Sequence, residues 1–347
     1  MRNVDLRSDT VTLPSPAMRR AMVEAELGDD VFEDDPTVIR LEKRAAELLG
    51  KEAGLFTASG TMSNLVALLT HCERGAEVIM GDQAHTFLYE VGGAAALGSI
   101  TTRTVPNQPD GSLKLEDVAA AVRGDNIHFP RTRAIVIENT HNRMGGTVLS
   151  VDYTDRLGAL AHQKGLQLHL DGARIFNAAV ALRVDARELT RGVDSVCFCL
   201  SKGLACPIGS VLCGPRDFIA EARRYRKMVG GGMRQVGVLA AAGLVALDQM
   251  IDRLAEDHEN ARYLAEGLAA LAGIHVNLES VQTNIVMFDW VSGKTPAADL
   301  LPRFLEKGVR FIQLGERRFR LVTHYGIDRS DIDYALEVFR AVTATAA

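Results

Sequence analysis

Between residues 53 and 213 the chain repeats one pattern, a short apolar run followed by a helix-length stretch. The apolar runs are 53–57, 77–80, 134–138, 166–171, 193–200 and 210–213, and helical stretches such as 153–164 lie between most of them. Strands alternating with helices predict a mostly parallel sheet with helices on both faces, an α/β architecture. In such sheets ligands bind at the carboxyl ends of the strands. The residues to look for are therefore polar ones immediately after these runs.

The 347 residues are too many for one ordinary core, so a second, smaller domain is expected. Near residue 248 the pattern changes. A long helical segment comes first, then short strands at IHVNL, NIVMF, VRFI and FRLVTH, then a helix from about Ser330. This reads as an α+β unit. The expected division is an N-terminal segment 1–15, a large domain 16–247 and a small domain 248–347. Residues before about 15 lack helical periodicity, and are expected to cross over the other domain or subunit. Residues 37–50 place Val38, Leu41, Ala45 and Leu48 on one helical face, with Gly50 as the stop.

Composition removes several function classes. A net charge of −5 argues against a nucleic-acid partner, leaving Arg223, Arg224, Arg226 and Lys227 as a local basic patch. The longest apolar stretches, such as 239–247, are too short to span a bilayer, and MRNVDLRSDTV lacks the apolar core of a signal peptide. The five cysteines have no framework spacing, which suits a reducing cytoplasm. Without C-x-x-C or H-E-x-x-H there is no zinc frame, and no metal is expected. There is no G-x-G-x-x-G; Gly230-Gly231-Gly232 does not complete one. Gly293-Lys294-Thr295 ends like a phosphate loop, but Phe288 stands where its first glycine must be. The acidic run Asp29, Asp30, Glu33, Asp34 and Asp35 reads as a solvated loop, with a bound cation as the alternative.

Three pieces carry chemistry. In QLHLDGARIF, Asp171 ends a strand and Arg174 follows on the next turn. In VCFCLSKG, Lys202 stands just past another strand end. In SGTMSN, Ser59, Gly60 and Thr61 open a helix. Two strands thus deliver a carboxylate and an amine to one sheet edge. Pyridoxal 5′-phosphate (PLP) needs that pair: a lysine to hold its aldehyde as a Schiff base, and a carboxylate to keep the ring nitrogen protonated. Arg174 can donate to the ring oxygen or to a substrate carboxylate. Gly60 allows close backbone approach, while Ser59, Thr61 and the free N–H groups of a helix start suit a phosphate. Singly, each piece reads as a turn, a solvated loop or an N-cap; their order and joint occurrence favour PLP.

These residues and longer stretches resemble the threonine aldolases, of the L-allo or low-specificity L type, within the aspartate-aminotransferase-like fold (fold type I). The match runs nearly end to end through DLRSDTVTLPSPAMRRAM, GDDVFEDDPTV, LFTASGTMSNL, HCERGAEVI, IENTHNRMGGTV, LHLDGARIFNA, CLSKGLACPIGS, RKMVGGGMRQ and RLVTH. The resemblance implies cleavage of L-allo-threonine, L-threonine and other β-hydroxy-α-amino acids to glycine and an aldehyde such as acetaldehyde. It implies that Lys202 holds PLP, that Asp171 faces the pyridine nitrogen, and that Gly60 and Thr61 belong to the phosphate cup. It assigns Ser8, Arg174 and Arg320 to the substrate carboxylate. His85 would stack on the cofactor and His128 would lie near the substrate hydroxyl, with Arg234 as a cofactor or interface contact. It also implies a homotetramer, a dimer of dimers with active sites at subunit interfaces.

Two departures stand out. Ala205 and Cys206 occupy positions where Gly-small-Pro is expected, and HNRMGG leaves both subtypes open. Two rivals also remain: an aminotransferase or β-eliminating lyase of the same fold, and a protein that only carries PLP.

Overall fold

A computed structural model describes residues 2–292 and 295–346; Gly293 and Lys294 of the phosphate-loop-like triplet lie outside them. The strands, in chain order, begin with β1 (Val4–Asp5), β2 (Ala53–Thr57), β3 (Glu77–Gly81) and β4 (Thr101–Val105). Next come β5 (Thr132–Glu138), β6 (Gln167–Asp171), β7 (Ser195–Cys199) and β8 (Ser210–Gly214). The last third adds β9 (Ile274–His275), β10 (Ile285–Trp290), β11 (Val309–Arg310), β12 (Ile312–Gln313) and β13 (Arg318–Val322).

The main sheet has seven strands in the order β2-β8-β7-β6-β5-β3-β4. The neighbours β7-β6-β5-β3-β4 are parallel, while β8 runs antiparallel to both β7 and β2. The expected α/β fold with a mostly parallel central sheet is therefore what forms. Strands β7 and β8 are buried at every position, which is why, after a leading serine in each, their sequences are continuously apolar rather than alternating. The register sets Glu138 beside Asp171 and Asp171 beside Cys197, so β5 and β6 end level and β7 runs two residues further at the same edge.

The helices start where the sequence supplies a cap. Ser59 accepts from Met62 N at the head of Gly60–His71, and Ser150 accepts from Tyr153 N at the head of Val151–Gln163. Asp35 accepts from Thr37 and Val38 N, with Pro36 opening Pro36–Leu48. Asp35 also accepts from Gly237 N, and buried Asp30 pairs with buried Arg226. The acidic run is thus not a solvated loop throughout: two of its carboxylates are structural. Two members of the basic patch are equally committed, since Arg226 bonds Asp30 and Arg223 bonds Glu42, while Arg224 stays exposed.

A second core sits apart from the main sheet. Strands β12-β13-β10-β9 form an antiparallel sheet packed on helices Leu254–Ala269 and Arg329–Ala346. Its centre is a set of rings, Phe288, Phe304, Phe311, Phe319 and Phe339, with centroids as close as 4.3 Å. Of the expected strands, IHVNL shrinks to Ile274–His275 and VRFI divides at Phe311. Strand β1 pairs in parallel with β11 of this region, and the chain then crosses to the main sheet, where Thr12 Oγ1 donates to Lys202 O (3.1 Å). No helix among the described residues is long and apolar enough to cross a membrane.

Candidate active site

The carboxyl edge of the main sheet carries a small cavity lined by Ser8, Thr10, His85, Glu138, Asn142, Asp171, Ala173, Arg174, Lys202 and Arg320. Each arrives for a reason of topology. His85 follows β3, Glu138 ends β5, Asp171 ends β6 and Lys202 follows β7, all parallel strands. Ser8 and Thr10 come from the N-terminal crossing, and Arg320 comes from β13 of the second core. Larger clefts exist along Pro36–Leu48 and the helix Arg216–Met228, but their lining holds none of the anticipated site residues.

Asp171 is buried and oriented by two donors. Asn64 Nδ2 donates to Oδ2 (3.0 Å) and Ala173 N donates to Oδ1 (3.1 Å). Asn64 Nδ2 also donates to Glu90 Oε1 (2.8 Å), and Glu90 accepts from His85 Nδ1 (2.9 Å). Burial alone would lower the His85 titration, but Glu90 and the charge of Asp171 outweigh it and raise it above the ordinary value. Glu138 accepts from His85 N and Asn142 N, one on each oxygen (2.8 Å each).

The two arginines differ in how they are held. Arg174 is fully buried and its fork grips Asp9, Nε to Oδ2 at 2.6 Å and Nη2 to Oδ1 at 2.7 Å. Burial raises the Asp9 carboxyl, yet Arg174, Lys202 and Asn284 hold it far below the usual range. The expected use of Arg174 on a carboxylate is therefore partly taken by Asp9. Among the described residues Arg320 bonds only neutral acceptors, Asn142 Oδ1 (2.6 Å) and Arg7 O (3.2 Å), and its Nε is buried without a partner. Burial and the neighbouring charge of Arg174 push its titration down to about 10.

Six anticipated residues thus meet in one cavity: Ser8, His85, Asp171, Arg174, Lys202 and Arg320. Ser59, Gly60 and Thr61 stand at the next strand end, opening Gly60–His71 outside the cavity lining. Glycine is required there, because a Cβ on Gly60 would lie 2.8 Å from Cys199 Sγ. Two anticipated residues are not brought in. His128 is exposed in the loop before β5, so the seven-residue strand separates it from the site by roughly 20 Å. Arg234 is half exposed and pairs with Asp29 (3.0 Å). The departure at Ala205 has a structural cost: its φ is 61°, a left-handed conformation that glycine adopts freely. Asn64, Glu90, Glu138, Asn142 and Asp9 escaped the sequence reading. The only signal was a polar residue inside an apolar run for Asn64 and Glu138; Glu90 and Asn142 gave none.

A sequence profile of the β-eliminating lyase family matches residues 5–290. Low-specificity L-threonine aldolase 1 of Arabidopsis thaliana is 48% identical over 349 aligned positions, covering 99% of this chain and 98% of its own. The low specificity L-threonine aldolase of Escherichia coli K12 is 48% identical, covering 98% and 99%. The threonine aldolase structure of Leishmania major superposes with a TM-score of 0.83 at 21% identity, covering 98% and 99%. The last likeness bears on the fold alone.

Proposed function

Since the chain belongs to the β-eliminating lyase family, alongside its threonine aldolases, we propose that it is a PLP-dependent aldolase. It cleaves L-allo-threonine, L-threonine and related β-hydroxy-α-amino acids to glycine and an aldehyde, acetaldehyde in the case of threonine. The observation that carries this reading is the meeting of Lys202, Asp171 and the uncompensated Arg320 in one cavity.

The residues fit the cofactor. Lys202 would hold it covalently, Asp171 would face its ring nitrogen, and His85 offers an aromatic face beside both. The N–H groups at the start of Gly60–His71, with Ser59 and Thr61, would take the phosphate. When bound, PLP supplies an electron sink for the bond that breaks.

The chain's own residues do the rest. Arg320 and Ser8 bind the substrate carboxylate, with Arg174 behind them, locked in place by Asp9. That clamp would fix the orientation of the substrate at Cα, and so select which of its bonds is broken. His85 accepts the β-hydroxyl proton as the aldehyde forms. Asp171, itself held by Asn64 and Ala173 N, would present its carboxylate to the ring nitrogen.

The family resemblance also supports a homotetramer with sites at subunit interfaces. Exposed Phe87, Leu88, Tyr89 and Leu97 beside the His85 helix suit a covered surface. In such an assembly His128 and Arg234 would serve a neighbouring subunit's site.

The decisive experiment measures acetaldehyde and glycine together from each threonine diastereomer. Wild type should release both products in equal amounts, and Lys202→Ala should lose the visible cofactor band and nearly all turnover. Ammonia and pyruvate in place of aldehyde would make it a β-eliminating enzyme instead, and a Lys202→Ala variant with full activity would move the covalent attachment elsewhere.

A further inference from the structure

His85 is gripped by two buried carboxylates, and only one of them touches its ring. Glu138, at the end of β5, accepts from the His85 backbone N–H. Glu90 accepts from ring Nδ1 at 2.9 Å. Among the described residues no hydrogen bond is made by Nε2, and the ring lines the cavity.

Glu90 is placed with unusual insistence. It follows the short helix His85–Leu88 and precedes Val91 and Gly92, whose φ angles are 57° and 66°. A left-handed backbone at a β-branched residue is disfavoured and persists only where its surroundings impose it. The Val91 side chain is 97% exposed, so its own packing does not impose it. What the turn achieves is to send the Glu90 carboxylate inward, where it is 7% exposed.

A second set of contacts fixes Glu90 from the far side. Asn64 Nδ2 donates to both Glu90 Oε1 and Asp171 Oδ2. Its Oδ1 faces His169 Nε2 (3.0 Å) and Cys197 Sγ (3.1 Å). A flipped amide would set its oxygen against two carboxylates, so the orientation is determined. With both carboxylates thus acting as acceptors, the proton of neutral His85 resides on Nδ1 and its lone pair on Nε2.

We propose that Glu90 is a positioning residue for catalysis, fixing the Nδ1–H tautomer of His85 so that Nε2 accepts the β-hydroxyl proton of the substrate. The inference rests on the aldol-cleavage reading given above. The O–H bond breaks and its proton joins Nε2. The O–H electron pair becomes the second bond of the aldehyde carbonyl. The Cα–Cβ pair is left on Cα, where a bound cofactor would delocalise it, until a proton is taken up there. The imidazolium formed is stabilised by Glu90 and by Asp171 at the end of β6, and opposed by Lys202 after β7. Glu138, on β5, holds the His85 backbone N–H rather than its ring and stands 3.9 Å from buried His141.

The test uses the full chain with its cofactor. Glu90→Gln keeps shape and acceptor but removes the charge. The His85 titration, followed by ¹⁵N NMR of the imidazole, should fall by about 1–3 pH units. The acid limb of kcat for aldehyde release should move to lower pH with it, because the neutral ring is the active form. Glu90→Ala, which also frees the tautomer, should lower kcat about 10²-fold with KM within threefold. If either variant fails to fold, the wild-type ¹⁵N shifts decide: a proton on Nδ1 supports the proposal, one on Nε2 overturns it. An unmoved titration and acid limb in Glu90→Gln also overturn it. Should wild type release no aldehyde, the cleavage reading falls, while the titration still decides whether Glu90 governs His85.

Discussion

Arg320 shows what a single residue's partners reveal. An arginine buried without an acid must find an anion or pay for its desolvation in a lowered titration, and Arg320 does the latter within the free chain. Arg174, a short way off, has its anion in Asp9. Arg320, with neutral partners on its Nη atoms and a bare Nε, is therefore the arginine that a substrate carboxylate would complete. Arg320→Ala should raise KM for threonine about a hundredfold, with kcat changed far less, since a charge-assisted fork in a desolvated site is worth a few kcal/mol. Steady-state kinetics on both diastereomers checks this; a KM shift below about threefold would remove Arg320 from the clamp. In its sequence Arg320 is one arginine in FRLVTH, and only the family resemblance sets it apart. Its burial and its missing acid exist only in the fold.

Among the elements, the N-terminal segment was the least legible and does the most joining. It has no periodicity because it is a strap: Val4 and Asp5 pair with Val309 and Arg310, Val322 N donates to Leu6 O, and Asp9 reaches Arg174. Asp9 and Arg174 are both buried, so removing the acid leaves an unpaired charge in the interior. Asp9→Ala should destabilise by about 3–5 kcal/mol. Denaturant unfolding measures it, and a loss under about 1 kcal/mol would mean that Arg174 finds another partner. Other elements were missed for plain reasons. Strand β4 reads TTRTV because it lies at the sheet edge with little to bury. The helix Pro16–Val23 carries a sound Ser15 cap and Pro16 start but buries only Met18, too little for an apolar stripe. The strands β5, β7 and β8 were legible because burial on both faces gives each an apolar run of three or more residues.

At the scale of the whole molecule, burial sets an acid limit on stability. His71, His169 and His258 are held neutral, burial pushing them down to about 3, about 4 and about 4. In the unfolded chain each titrates near 6.5. Between pH 6.5 and about 4 the unfolded chain therefore takes up protons that the folded chain refuses, and stability falls as pH falls. A shift of this size amounts to roughly 3 kcal/mol for one such group at the acid end of that window. Unfolding free energies measured from pH 7.5 to 4.5 should decline accordingly, and His169→Gln should flatten the slope. An unchanged slope in that variant would mean that His169 is protonated in the folded state.

The sequence by itself determined the parallel sheet, the positions of Asp171 and Lys202 at adjacent strand ends, and the helix start at Gly60. Each follows from rules that act along the chain: apolar runs where both faces are buried, polar residues where a strand stops, a cap where a helix begins. The departure at Ala205 was also visible as a missing glycine, although the φ of 61° that explains why glycine is expected there was not. Only the tertiary structure decided that Ser8 and Arg320, 312 positions apart in number, face one cavity. It alone tied Asp9 to Arg174 and placed Glu90 against His85 and Asn64. The position of His128 at the opposite edge of the sheet, by contrast, follows from chain order, because a parallel strand carries the loop before it and the loop after it to opposite ends. The pairings themselves depend on contacts between chain segments that no local pattern encodes, since a buried charge is recognisable only once its partner, or its lack of one, is known.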